Sequence, residues 1–175
     1  MSSPSFVFVR AINTGTRRLT NDEQLAPLRD AGFPDAAAYQ AAGNLFVGPG
    51  APDESVFDEL LGAAYGFEVA TFVRTADELR NCVSSQPFDD ARLAATAGRI
   101  QLTFLRHEPS EAAIAEAMAV VPDEDAVEFV GRAWYWLPVD GVSTSSLPVP
   151  RIERIVGPMT MRTLGTIERM LTKFT

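Results

Sequence analysis

Phe6-Val7-Phe8-Val9-Arg10-Ala11-Ile12-Asn13-Thr14-Gly15 joins a strand-like apolar run to a tight turn bearing hydrogen-bonding side chains. Alternation along residues 5–10 predicts a strand, with Phe6 and Phe8 on one face and Val7 and Val9 on the other. Both faces are apolar. An antiparallel sheet covered by helices on one side ordinarily shows polar residues on the other. The second face of this strand therefore needs a cover. The second half of the chain is the nearest candidate, and a homodimer contact would serve equally.

Working outward, Thr20 and Glu23 have the spacing of a capping box and predict a helix with Leu25 and Leu28 as its apolar stripe. Pro27 is expected to distort that helix, and Gly32 to stop it. Strands are expected over 36–40 and 44–47, joined by the turn at Ala42-Gly43. Asp53 and Glu54 suit the positive end of a helix carrying Val56, Phe57, Leu60, Leu61 and Ala64, which Gly66 closes. Residues 67–73 read as a further strand. The order is then βαββαβ, the ferredoxin-like unit.

The order partly repeats. Thr75 and Glu78 form a second capping box, ahead of a helix with Leu79, Cys82 and Val83 on its buried side. Residues 86–98 read as an irregular loop, 100–105 as a strand and 110–120 as a helix. Residues 126–130 and 133–137 predict a hairpin across Gly131-Arg132. Pro148 and Pro150 read as a breaker. Leu164, Ile167, Leu171 and Phe174 recur at helical spacing and predict a terminal amphipathic helix. The expected architecture is α+β: two fused ferredoxin-like units with mainly antiparallel sheets, residues 1–75 and 76–175, the second including the C-terminal helix.

Composition bounds function. The 175 residues carry a net charge of -8, split as -11 over residues 1–150 and +3 over 151–175. The acidic bulk disfavours non-specific nucleic-acid or anionic-membrane binding, which requires broad positive potential. No apolar stretch approaches the ~20 residues that span a bilayer. The N-terminal residues do not have the pattern of a secretory leader. Cys82 is the single cysteine, so no internal disulfide forms. These features predict a cytoplasmic protein.

Candidate chemistry centres on the two turns. Strands 1 and 3 of a ferredoxin-like sheet are antiparallel neighbours, so Arg10, Asn13 and Asn44 are expected at one rim, with Gln40 close by and Arg17 and Arg18 in the following loop. Such a cluster suits a phosphate or carboxylate held by charge-assisted hydrogen bonds. The structural alternative is that the Asn and Gln side chains satisfy turn backbone and Arg10 pairs with a carboxylate. Arg162 joins the cluster if the tail folds back, and otherwise caps an exposed helix end. Met159 and Met161 read as packing residues.

Other chemistries find less support. His107 is the single histidine, which excludes a two-histidine metal site within one chain, and it reads as exposed. Cys82 reads as a buried small hydrophobe. Asp89-Asp90 and Asp123-Glu124-Asp125 lack the alternating spacing of a calcium loop and read as solvated charge. RNA binding through the sheet would need exposed aromatics on the middle strands, and strand 3 offers Phe46 alone. Trp134, Tyr135 and Trp136 read as core packing first and a ligand platform second. No cofactor or metal is expected. The expected partner is a small polar or anionic ligand.

Three motifs carry a resemblance. Arg10-Ala11-Ile12-Asn13-Thr14-Gly15-Thr16 matches a pattern Arg-Gly-Ile-Asn-Val-Gly-Gly. Tyr39-Gln40-Ala41-Ala42-Gly43-Asn44 followed by Leu45-Phe46-Val47 matches Tyr-Ile-Gln-Ser-Gly-Asn followed by apolar residues. Thr160-Met161-Arg162-Thr163-Leu164-Gly165-Thr166 matches Thr-Thr-Arg-Asn-Trp-x-Thr. On these motifs the chain resembles the bacterial domain-of-unknown-function family 1697 over nearly its whole length. That family is similar to a pair of fused ferredoxin-like domains and has no established activity. The function expected from the residues themselves is a non-catalytic module that binds a small polar or anionic ligand or a protein partner, or else an enzyme using the Arg10/Asn13/Asn44 pocket. Ala11, Ala42, Thr163 and Leu164 depart from the family pattern, which implies a divergent member with fewer polar donors.

Overall fold

A computed structural model describes residues 3–13 and 18–175. The elements run β1 (Pro4–Val9), α1 (Asn21–Asp30), β2 (Ala37–Ala38), β3 (Asn44–Pro49), α2 (Glu54–Tyr65), β4 (Thr71–Thr75), α3 (Ala76–Ser84) and α4 (Asp90–Ala94). They continue with β5 (Gln101–Leu105), α5 (Glu111–Met118), β6 (Ala126–Val130), β7 (Ala133–Leu137), α6 (Val149–Val156), β8 (Met159–Thr163) and α7 (Leu164–Phe174). Two antiparallel four-stranded sheets form, in the orders β2-β3-β1-β4 and β6-β7-β5-β8. Each has the ferredoxin-like connectivity βαββαβ, so the α+β architecture with two such units holds. By compactness, residues 1–80 with 170–175 make one unit and 81–169 the other.

In the first unit Val7 and Val9 of β1 share a core with Leu25 and Leu28 of α1 and Phe57 and Leu61 of α2. Phe6, Phe8 and Phe72 point to the other face and are equally buried. Phe174 lies on that face. Its ring stacks on Phe46 at 5.1 Å and meets Phe6 at 6.2 Å between centroids. The second unit is built alike. Leu105, Trp134, Trp136 and Met159 pack with Ala117 of α5 and Ile152 and Val156 of α6. Leu102, Phe104 and Tyr135 are buried on the opposite face. The Trp-Tyr-Trp run is therefore core.

The local signals for capping act as expected. Thr20 and Glu23 close the capping box of α1, which runs on through Pro27. Gly66 ends α2 in the left-handed conformation at φ +73°. Gly131 makes the β6–β7 turn at φ +56°.

Several elements differ from expectation. β2 is only two residues long, and β4 starts at Thr71 and runs to Thr75. Segment 86–98 contains α4, capped by the Asp89 side chain on the Arg92 amide at 2.7 Å. Pro150 does not break structure but sits in the first turn of α6, where a missing N–H costs nothing. Asp125 is not solvated. It is 7% exposed, and its carboxylate accepts from Trp136 Nε1 at 3.0 Å, from the Val139 amide and from Ser145. Cys82 is half-buried rather than fully enclosed, and its carbonyl accepts the Tyr135 hydroxyl at 2.8 Å.

Truncating Phe174 to alanine removes the ring that covers Phe46 and Phe6. The variant is expected to lose about 2 kcal/mol of stability in urea unfolding, with near-UV circular dichroism reporting the loosened aromatic face. An unchanged unfolding midpoint would show that the ring contributes no packing.

Candidate functional site

The site is shaped by how β1 ends. The Val9 amide donates to the Gly43 carbonyl at 2.7 Å and the Arg10 amide to Ala70 at 2.9 Å, so both neighbouring chains follow β1 to its last residue. The chain then turns sharply. Ala11 and Asn13 both sit at φ +58°, as does Gln40 in the facing loop. Asparagine tolerates that conformation, whereas alanine and glutamine are strained by about 1–2 kcal/mol each. Gly43 sits at φ +69° for a different reason: a Cβ there would lie 2.5 Å from the Val9 carbonyl oxygen.

Side chains lock the turn. Asn13 Nδ2 donates to the Leu19 carbonyl at 2.9 Å and to the Ala41 carbonyl, while its Oδ1 accepts the Leu19 amide at 2.7 Å. Arg18 donates to the Asn13 carbonyl at 2.7 Å. Gln24 of α1 is fully buried; its Oε1 accepts the Gly43 amide at 3.2 Å and its Nε2 donates to the Leu19 carbonyl at 3.1 Å. Asn44, 1% exposed, donates to the Tyr39 carbonyl at 3.3 Å, and the Tyr39 amide returns a bond to the Asn44 carbonyl at 2.8 Å. The Tyr65 hydroxyl donates to the Gln24 carbonyl at 2.9 Å, and burial pushes its pKa upward.

Asn13 and the Asn44 turn thus meet at one rim, bonded to main chain. Gln40 is exposed in the same loop. Arg10, also exposed, lines a concavity of about 370 Å³ with Ala11, Glu68, Val69 and Ala70. Arg17 lies outside the described residues. Arg162 belongs to the second unit and sits on β8, not on an exposed helix end. Its Nη1 donates to Thr160 Oγ1 at 2.9 Å and to the Met161 carbonyl at 2.7 Å, and burial lowers its pKa to about 10.

Arg162 has a counterpart that the sequence reading passed over. Opposite β1, Arg74 pairs with Phe6; opposite β5, Arg162 pairs with Leu102. Arg74 Nη1 also donates to the carbonyl of its preceding residue, Val73, at 2.7 Å, and faces Glu54 at 3.4 Å. The shared Arg-Thr pair ahead of a helix, at 74–75 and 162–163, was a legible signal. Gln24 was legible too, since it lies four residues before Leu28 on the apolar stripe. Glu68 gave none.

His107 is exposed after β5. Among the described residues no group of three or more His, Cys, Asp or Glu side chains gathers as for a metal. Among them, too, no helix is long and apolar enough to cross a membrane.

The family model described as protein of unknown function (DUF1697) matches residues 4–135. The chain is similar in structure to the conserved bacterial protein SP0830 from Streptococcus pneumoniae, with a TM-score of 0.69, 15% identity and 100% of each chain covered. At that identity the likeness concerns the fold. No curated protein matches the chain.

Asn13→Ala removes the partner of the Leu19 amide and of the exposed Ala41 carbonyl and leaves the Leu19 carbonyl to Gln24, and is expected to cost about 1–2 kcal/mol in urea unfolding. Ala11→Gly relieves a left-handed alanine and is expected to gain about 1 kcal/mol in the same measurement. A neutral Asn13→Ala would mean that water replaces the side chain at no cost.

Proposed function

The chain belongs to the DUF1697 family, and from that premise we propose that it is a non-catalytic binding module for a small polar or anionic ligand at the Arg10 end of β1. One observation carries the reading: Arg10 lines a concavity sized for a small molecule at the rim where the Asn13, Gln24 and Asn44 side chains bond main chain. A guanidinium offers a planar fork to carboxylate or phosphate oxygens. Glu68 on the same wall accepts from a hydroxyl or ammonium of the same ligand. The locked turns hold this wall rigid, so little ordering entropy is lost on binding.

The rival reading is an enzyme, and Glu68 is the observation in its favour, as the carboxylate beside Arg10. We take the protein to be cytoplasmic and bacterial; its single cysteine and its likeness to a streptococcal protein support this.

Thermal unfolding with phosphate, sulfate and nucleotides tests the binding reading. At ten times Kd the stabilisation is about 1.4 kcal/mol, a rise of roughly 3–6 °C for a chain this long. Arg10→Ala is expected to abolish the rise. An equal rise in Arg10→Ala, or none with any of the three, contradicts the proposal. Chemical turnover of a ligand that stops in Glu68→Gln would establish the rival.

A further inference from the structure

The two units repeat one register, and the repeat exposes a substitution of charge. Ser5 lies opposite Thr75 in the first sheet, and Gln101 lies opposite Thr163 in the second. Each threonine ends the last strand of its unit and starts a helix. In the first unit the helix start is closed by a carboxylate: Glu78 accepts the Thr75 amide at 2.7 Å and the Thr75 hydroxyl at 3.0 Å, and the Glu78 amide returns a bond to Thr75 Oγ1 at 3.2 Å.

In the second unit Thr166 stands where Glu78 does. Its amide donates to Thr163 Oγ1 at 3.2 Å and the two hydroxyls lie 2.8 Å apart, so the cap persists without the carboxylate. The first turn of α7 has no acidic residue. A concavity of about 430 Å³ opens beside it, walled by Arg99, Ile100, Leu164, Gly165, Glu168 and Arg169. A Cβ on Gly165 would come within 3.3 Å of the Arg169 guanidinium, so the missing side chain leaves room for that group against the helix start. Arg169 also donates to Thr166 Oγ1 at 3.3 Å. Extended along the chain at the same offsets, Ser3 corresponds to Arg99, Asp77 to Gly165 and Asn81 to Arg169. The carboxylates Asp77 and Glu78 thus have no counterpart in the second unit, and Arg99 and Arg169 none in the first, while at the remaining charged position Glu168 of the second unit replaces Arg80.

We propose that the second unit binds a small oxyanion, phosphate or carboxylate, against Arg99 and Arg169, where the Glu78 carboxylate lies in the first. The arginines carry the site, not the helix end: the Leu164 amide is already bonded to the Ile100 carbonyl at 2.9 Å, and the Thr166 amide to Thr163. A guanidinium fork suits an oxyanion, and Arg99 and Arg169 line the same concavity, Arg169 with part of its donors on Thr166. Glu168 offsets one positive charge, so the site suits an anion of low charge. It is separate from the Arg10 concavity.

The test is a ¹⁵N chemical-shift titration of the full chain at low salt, with inorganic phosphate in one arm and malonate in the other. Saturable shifts are expected at the Gly165 and Thr166 amides in at least one arm, and the tighter arm identifies the ligand chemistry. Arg99→Ala and Arg169→Ala, both at exposed positions, are expected to weaken binding at least tenfold, and Arg10→Ala to leave it unchanged. Thr166→Glu, which supplies the internal carboxylate of the first unit, is expected to abolish it. Should that variant not fold, the two arginine variants decide. Non-saturating shifts in both arms, or affinity unchanged in both arginine variants, would overturn the proposal. Shifts confined to Ala11 and Ala70 would overturn it while supporting the Arg10 site.

Discussion

A central strand with no solvent-facing side is the constraint on which the first unit rests. From Ser5 to Val9 every side chain of β1 is at most 4% exposed. Such a strand is bonded on both edges, by β3 and β4, until it leaves the sheet. Its exit then needs partners for main-chain groups that the ladders no longer serve, since a buried unpaired group costs about 1–3 kcal/mol. Asn13 and Gln24 supply partners to the main chain around that exit, at Leu19, Ala41 and Gly43. The Asn13, Gln24 and Asn44 side chains are bonded to main chain at this turn, and Arg10 lines a concavity beside Glu68.

The internal repeat shows which features the fold demands and which it leaves free. Strand order, register and the threonine that starts the last helix of each unit are common to both. So is an arginine that bonds the carbonyl before it on the last strand, Arg74 in one unit and Arg162 in the other. Buried charge of this kind persists only with hydrogen bonds to hold it. What differs is the charge in the first turn of that helix, Asp77 and Glu78 in one unit and no acidic residue in the other. Packing does not fix exposed charges, so that is where two copies of one fold are free to diverge.

Much of the fold was readable because its signals are local. Alternation marked β1, capping boxes marked α1 and α3, and the Gly131 turn marked the β6–β7 hairpin. Where tertiary pairing decides, the sequence was silent. β8 carries Thr160 and Arg162 on the face that alternation would make polar, and its strand character comes from pairing with β5. Pro148 and Pro150 read as a breaker because proline alone does not tell a helix start from a stop. Asp125 lay in an acidic run that looked solvated, yet it serves Trp136 across the sheet edge. At the site, convergence of the Asn13 and Asn44 turns followed from strand order. That the Asn13 carboxamide is spent on Leu19 and Ala41 did not, because both partners are main-chain atoms set by the folded turn.

The central claim is that side-chain amides lock the end of β1 onto the 39–44 loop. Native-state hydrogen exchange at the Val9, Leu19 and Gly43 amides measures it most directly, because their acceptors are the Gly43 carbonyl, the Asn13 side chain and the Gln24 side chain. All three are expected to exchange only through large-scale unfolding, at the slow rates of the β1 core amides. Exchange of Leu19 and Gly43 at the rate of an open loop, with Val9 alone protected, would contradict the account.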